Sequence, residues 1–116
     1  MKNLSNVPED FISWEDSVSR VGGEEDFLLE LLNDLHKMVR DNIKKIKSSL
    51  DKVDFKEIRD LAHSMKGASG NLGLNTMYQA TMHLEQSAKD QNASDISKYL
   101  KDLKKDFKNL EVLLSN

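Results

Sequence analysis

Apolar residues recur at three- and four-residue steps along most of the chain, and the steps break in only a few places. Phe27, Leu28, Leu31, Leu32, Leu35, Met38, Val39, Ile43, Ile46 and Leu50 trace one buried stripe on a long helix. Phe55, Ile58, Leu61, Ala62, Met65, Ala68 and Leu72 trace a second, and Met77, Ala80, Thr81, Leu84 and Ala88 a third. The last series is the most regular. Ile96, Leu100, Leu103, Phe107, Leu110 and Leu114 step by four, three, four, three and four, which is a bundle seam with Tyr99 and Leu113 on its flanks.

Punctuation between the stripes predicts where each helix begins and ends. Ser13, with Asp16 as capping-box acid, is expected to cap a short helix over 13–21 that carries Trp14, Val18 and Val21 and stops at Gly22-Gly23. Glu24, Glu25 and Asp26 suit the positive end of the next helix, which should run to about Leu50. Asp54 followed by Glu57 is a second capping signal, and Gly73 is the matching stop. Asn75 or Thr76 is expected to cap the fourth helix, and Asp90-Gln91-Asn92 ends it. The connections are short, so neighbouring helices should be antiparallel. The prediction is an all-α chain, one domain over 1–116: an N-terminal tail over 1–12, a short capping helix whose Trp14 plugs the bundle end, and an antiparallel four-helix bundle over 24–114.

Composition narrows the functions. The 116 residues hold 17 Lys and Arg against 20 Asp and Glu, a net charge of −3, so neither nucleic acid nor an anionic membrane is an expected partner and any basic surface must be local. There is no cysteine, which removes disulfides, thiolate metal sites and a cysteine nucleophile. The first ten residues lack the apolar core of a signal peptide, and no apolar run could cross a bilayer, so the expected location is cytoplasmic.

The chemistry concentrates in Ala62-His63-Ser64-Met65-Lys66-Gly67-Ala68-Ser69-Gly70-Asn71-Leu72-Gly73. At about 100° per residue, His63 projects roughly opposite the apolar stripe of its own helix and so faces water. Gly67 and Gly70 fall within roughly 40° of it, and Lys56, Arg59 and Lys66 flank the same face. Glycine inside a helix costs roughly 1 kcal/mol against alanine, so two on one solvent face imply that something must approach it closely. A neutral imidazole is a good nitrogen nucleophile, and a phosphorylated one needs positive charge and open space. Lys66 can supply the first and Gly67 the second.

His-x-x-Lys-Gly-x-x-x-x-x-Gly on a helix of a small bundle resembles the signature of the histidine phosphotransfer (HPt) family. Ile12-Ser13-Trp14-Glu15-Asp16 with Val21-Gly22-Gly23-Glu24-Glu25 resembles that family's entry to its first long helix, and Leu84-Glu85 its following helix, so the likeness spans most of the chain. The resemblance implies that His63 is phosphorylated, that Lys66 stabilises the phosphoryl group, and that Gly67 admits the partner; Gly70, on the same face, is expected to give steric access as well. Lys56 and Arg59 are candidates for docking the partner. Some family members have glutamine where Glu85 stands, hydrogen-bonded to the active histidine; a carboxylate there would orient a neutral imidazole and repel a phosphorylated one. The implied partners are response-regulator receiver domains or a hybrid histidine kinase, with the magnesium ion on the receiver and no cofactor on this chain. It implies a phosphocarrier and not a kinase, since no Walker-type loop is present, and a single outward histidine fits a monomer. A stand-alone protein, favoured weakly by Met1, and a domain of a larger kinase both remain open.

Other readings weigh less. The glycines could mimic a phosphate-cradling or RNA-binding turn, but those need preceding strands. Gly67 could be a helix stop, yet Ala68 and Leu72 continue the stripe. Asp60-x-x-His63 has metal-ligand spacing, but a di-metal bundle needs two such pairs facing inward. His36 and His83 lie at stripe borders, as structural histidines do. A kinase dimerisation domain would place an acid after its histidine and a proline soon after, where this chain has Ser64 and no later proline. A receiver-docking or adaptor module of the same fold, without chemistry, is the alternative function.

Overall fold

The computed structural model describes residues 2–115, which form five helices: α1 (Trp14–Arg20), α2 (Glu25–Asp51), α3 (Phe55–Leu72), α4 (Asn75–Lys89) and α5 (Ala93–Ser115). At about 1.5 Å per residue, the 27 residues of α2 span roughly 40 Å, and they set the 44 Å long axis of the molecule. Turns of two or three residues reverse the chain between α2 and α3, α3 and α4, and α4 and α5. Each helix packs on the one before it and α5 closes on α2, which makes the antiparallel four-helix bundle. No described helix is long and apolar enough to cross a membrane.

Several helix ends follow the predicted chemistry. The Asp54 side chain accepts from the Glu57 amide and caps α3, and Gly73 ends that helix in the left-handed conformation at φ 75°. Asn92 caps α5 by accepting the Asp95 amide. Gly22 and Gly23, both at φ 84°, turn the chain from α1 into α2. Two expected caps do not form. Neither the Ser13 side chain nor that of Asn75 caps its helix; α4 starts one residue earlier than an Asn75 cap would allow, with Leu74 at the N-cap position. The reason is tertiary: Leu74 bridges Ile12, and the Asn75 amide donates to the Phe11 carbonyl, so the preceding segment fixes this corner.

That segment corrects the expected tail over 1–12. Phe11 is fully buried and Ile12 nearly so, and both join Trp14 in the same core as the bundle helices. Met1 lies outside the described residues. The α2 stripe is also narrower than predicted. Phe27 and Met38 are 47% and 37% exposed, at the edge of the stripe. The small neighbours Ala68 and Asn71 leave the space beside Met38 as an open groove. The remaining predicted series supplies the interior: Leu28, Leu32 and Ile46 from α2, Ile58 and Met65 from α3, Met77 and Leu84 from α4, and Ile96, Leu103 and Leu110 from α5 are fully buried.

Candidate functional site

The buried face of α3 (Ile58, Ala62, Met65, Ser69, Leu72) sits in the core, which turns His63 and Gly67 outward on the middle of an unbroken helix. The His63 side chain is 70% exposed. From the neighbouring helix α4, Leu84 points to the core and Glu85 lies in the α3–α4 seam with its side chain only 9% exposed. Its carboxylate is shared. One oxygen, Oε2, is 2.7 Å from His63 Nδ1, and the other, Oε1, accepts from Lys66 Nζ at 2.6 Å. Glu85 therefore joins the expected site, and it joins His63 to Lys66.

The electrostatics of this trio decide its protonation. The hydrogen bond from Lys66 is the largest influence on Glu85, and with the contact to His63 it holds the carboxyl below its ordinary range although burial works the other way. The same bond raises Lys66 above the usual lysine range. An ionised carboxylate can only accept, so the neutral imidazole is assigned its proton on Nδ1. Nε2 is then left with a free lone pair.

The two glycines of the face differ. A Cβ at Gly67 would meet nothing within 4 Å, so this position is open to an approaching surface. A Cβ at Gly70 would lie 3.0 Å from the Tyr78 ring, so this half-exposed glycine, although it lines the same cleft as Gly67, makes room first for the protein's own side chain. Its carbonyl also accepts from Arg20 Nη1 at 3.0 Å, which ties α1 to α3. Arg20, Lys66, Gly67 and Tyr78 line a cleft of about 470 Å³ beside the histidine helix. On the other flank of α3, Leu31, Leu35, Met38, Ala68 and Leu72 line an apolar groove of about 290 Å³.

The sequence pattern did not point to Arg20, Tyr78 or this groove, since no local spacing signals a contact between helices. Lys56 and Arg59 are exposed on the same helix, with Lys56 paired to Asp60 at 3.1 Å. The other histidines are structural. His36 stacks on Phe107 and His83 on Tyr99, each with ring centroids 4.7 Å apart.

No curated protein matches the chain in sequence. Among solved structures, it is similar to histidine-containing phosphotransfer protein B from Pseudomonas aeruginosa, with 20% identity, a TM-score of 0.83 and coverage of 93% of this chain and 94% of that one. The HPT domain of a sensor hybrid histidine kinase from Shewanella gives 22% identity, a TM-score of 0.75 and coverage of 91% and 95%. A histidine-containing phosphotransfer protein from Medicago truncatula gives 19%, 0.78, 92% and 76%. At these identities the likeness establishes the fold. The Hpt domain family model matches residues 30–112, a span that contains His63, Lys66, Gly67 and Glu85. The chain belongs to the Hpt domain family, the histidine phosphotransfer proteins of two-component phosphorelays.

Proposed function

We propose that this chain is a cytoplasmic phosphorelay carrier in which His63 accepts a phosphoryl group from the aspartyl phosphate of one receiver domain and passes it to the aspartate of another. The observation that carries the reading is the exposed imidazole whose Nδ1 is committed to the buried Glu85 carboxylate. Nε2 is the nucleophile. Its lone pair forms the N–P bond as the bond from phosphorus to the aspartyl oxygen breaks, and the aspartate leaves as carboxylate. The product keeps its proton on Nδ1, so the imidazolium charge sits beside Glu85. The receiver contributes the acceptor aspartate and its magnesium ion, and this chain contributes a positioned nucleophile.

Lys66 has a second task. In the unphosphorylated chain it neutralises Glu85, which would otherwise repel an incoming phosphoryl group, and its ammonium is near enough to turn to the new oxygens. The partner seats on the open Gly67 surface and the apolar groove formed by Leu31, Met38 and Ala68. That groove flanks the histidine helix on the side of α2, lined on α3 by Ala68, Asn71 and Leu72. Lys56 and Arg59 extend the face toward the other end of α3.

The test is transfer from a panel of phosphorylated receivers, read as acid-labile phosphate on this chain. Wild type should be labelled by at least one receiver and His63→Gln by none. Receiver binding that survives His63→Ala, with no phosphohistidine on wild type from any donor, would instead make the chain a docking module. In Glu85→Gln the hydrogen bond can persist while the charge is lost. Nitrogen chemical shifts should then show less of the Nδ1–H form, and an unchanged tautomer ratio would remove Glu85 from its orienting role.

A further inference from the structure

The face opposite His63 carries its own charge pattern. On α2, Arg40, Lys44 and Lys47 are spaced by four and three residues, and on α5, Lys101, Lys104 and Lys108 are spaced by three and four, so each trio lies along one helix face. The two faces meet. α5 packs on α2, and across their seam His36 of α2 stacks on Phe107 of α5 at 4.7 Å between ring centroids and lies 3.4 Å from Glu111; along the same seam Lys104 is lowered from the ordinary lysine range chiefly by the neighbouring Lys47, with burial and Lys101 adding to the effect. Among the described residues, Arg40 pairs with Asp41, and none of the five lysines makes an ion pair. In a chain of net charge −3, such a row is a local excess of positive charge held together against repulsion.

We propose that the α2–α5 seam is a second docking surface, built to take an acidic stretch of polypeptide. The row runs seven residues along each helix, about 10 Å, which matches two turns of an acidic helix or a few residues of an extended acidic strand. Its surroundings argue against other polyanions. Among the described residues the exposed large apolar side chains are Phe27, Met38, Val53 and Tyr78, none of them on α5 and none between Arg40 and Lys47 on α2, so the row offers no apolar anchor for a bilayer. Phe107, the aromatic of this seam, is stacked on His36 and packed on the core, which leaves no free ring for a nucleobase. Because α3 and α4 lie between this seam and the phosphorylation face, the two surfaces do not compete for space.

The experiment measures binding of a fluorescein-labelled twelve-residue poly-glutamate to the full chain at low and physiological salt by anisotropy. Lys47→Glu/Lys104→Glu is compared with Lys52→Glu/Lys89→Glu, which makes the same charge change at exposed residues away from the seam. The expected result is salt-sensitive binding that falls at least tenfold in the seam variant and less than twofold in the control. Circular dichroism confirms that both variants fold. Equal losses in the two variants would mean a response to net charge alone and would overturn the proposal, as would no binding by wild type at low salt. Tighter, equally seam-dependent binding of a duplex DNA oligonucleotide or of phosphatidylserine vesicles would overturn the assignment to polypeptide.

Discussion

Gly67 allows stability and function to be pulled apart at one position. It lies in the interior of α3, is exposed, and offers open space to a Cβ, so alanine there recovers helix propensity without a clash. That gain is roughly 1 kcal/mol. For a chain of 116 residues, an unfolding entropy of about 2.1 cal/mol/K per residue converts it into a rise in Tm of about 4 °C. Gly67→Leu should keep most of the rise, because leucine ranks near alanine as a helix former. Its four side-chain carbons would nevertheless stand in the space one turn from His63, where a receiver has to pack. A docking penalty of only 1.4 kcal/mol is tenfold in affinity, so initial rates of transfer at sub-saturating receiver should fall by at least that factor in the leucine variant. Gly70→Ala is the internal comparison. Its Cβ meets the Tyr78 ring at 3.0 Å, so the same propensity gain is opposed by a displaced side chain and Tm should rise less than for Gly67→Ala. A Gly67→Leu protein that melts about 4 °C higher and still transfers within twofold of wild type would refute the assignment of this face to the partner.

Asp106 gives a pH-dependent prediction. It is buried in α5 and accepts from the Thr76 hydroxyl at 2.7 Å, and burial raises its pKa to about 6. The folded state therefore holds this proton more tightly than the unfolded chain. Its contribution to stability is present at about pH 4 and is lost as pH rises through about 6. Asp106→Asn keeps an acceptor for Thr76 and should raise Tm at pH 7 while leaving it little changed at pH 4; the same shift at both pH values would contradict this account. Met38 tests the apolar groove. Met38→Asp, at a 37% exposed position, should change Tm by no more than a few degrees and weaken receiver binding several-fold by titration calorimetry, whereas unchanged affinity would place the seat elsewhere.

Much of this architecture was legible because the features behind it are local. The stops at Gly73 and Asp90-Gln91-Asn92 and the Asp54 cap depend on residues within one turn of each other, and the apolar steps of α3 to α5 report directly which face is inward. His63 could be placed in solvent by the same arithmetic. The misses share one physical origin, contact between segments distant in the chain. Phe11 and Ile12 are too short a run to show a period, yet they set the corner that displaces an Asn75 cap. Phe27 and Met38 fit the α2 stripe by spacing, but Met38 faces an open groove beside Ala68 and Asn71 of α3, which a single helix cannot reveal. Tyr78 over Gly70 arises from the register of α4 against α3, whereas the Glu85 contact to His63, set by the same register, was among the candidates.

The imidazole stands exposed on a continuous helix, with the buried Glu85 carboxylate already against its Nδ1. A carrier that offers the same exposed nitrogen to every visitor presents one chemistry to donor and acceptor alike, so it does not by itself favour incoming over outgoing traffic. Which way the phosphate travels is then governed by the relative abundance and phosphoryl potential of the proteins that visit, and the same molecule can fill a pathway or drain it.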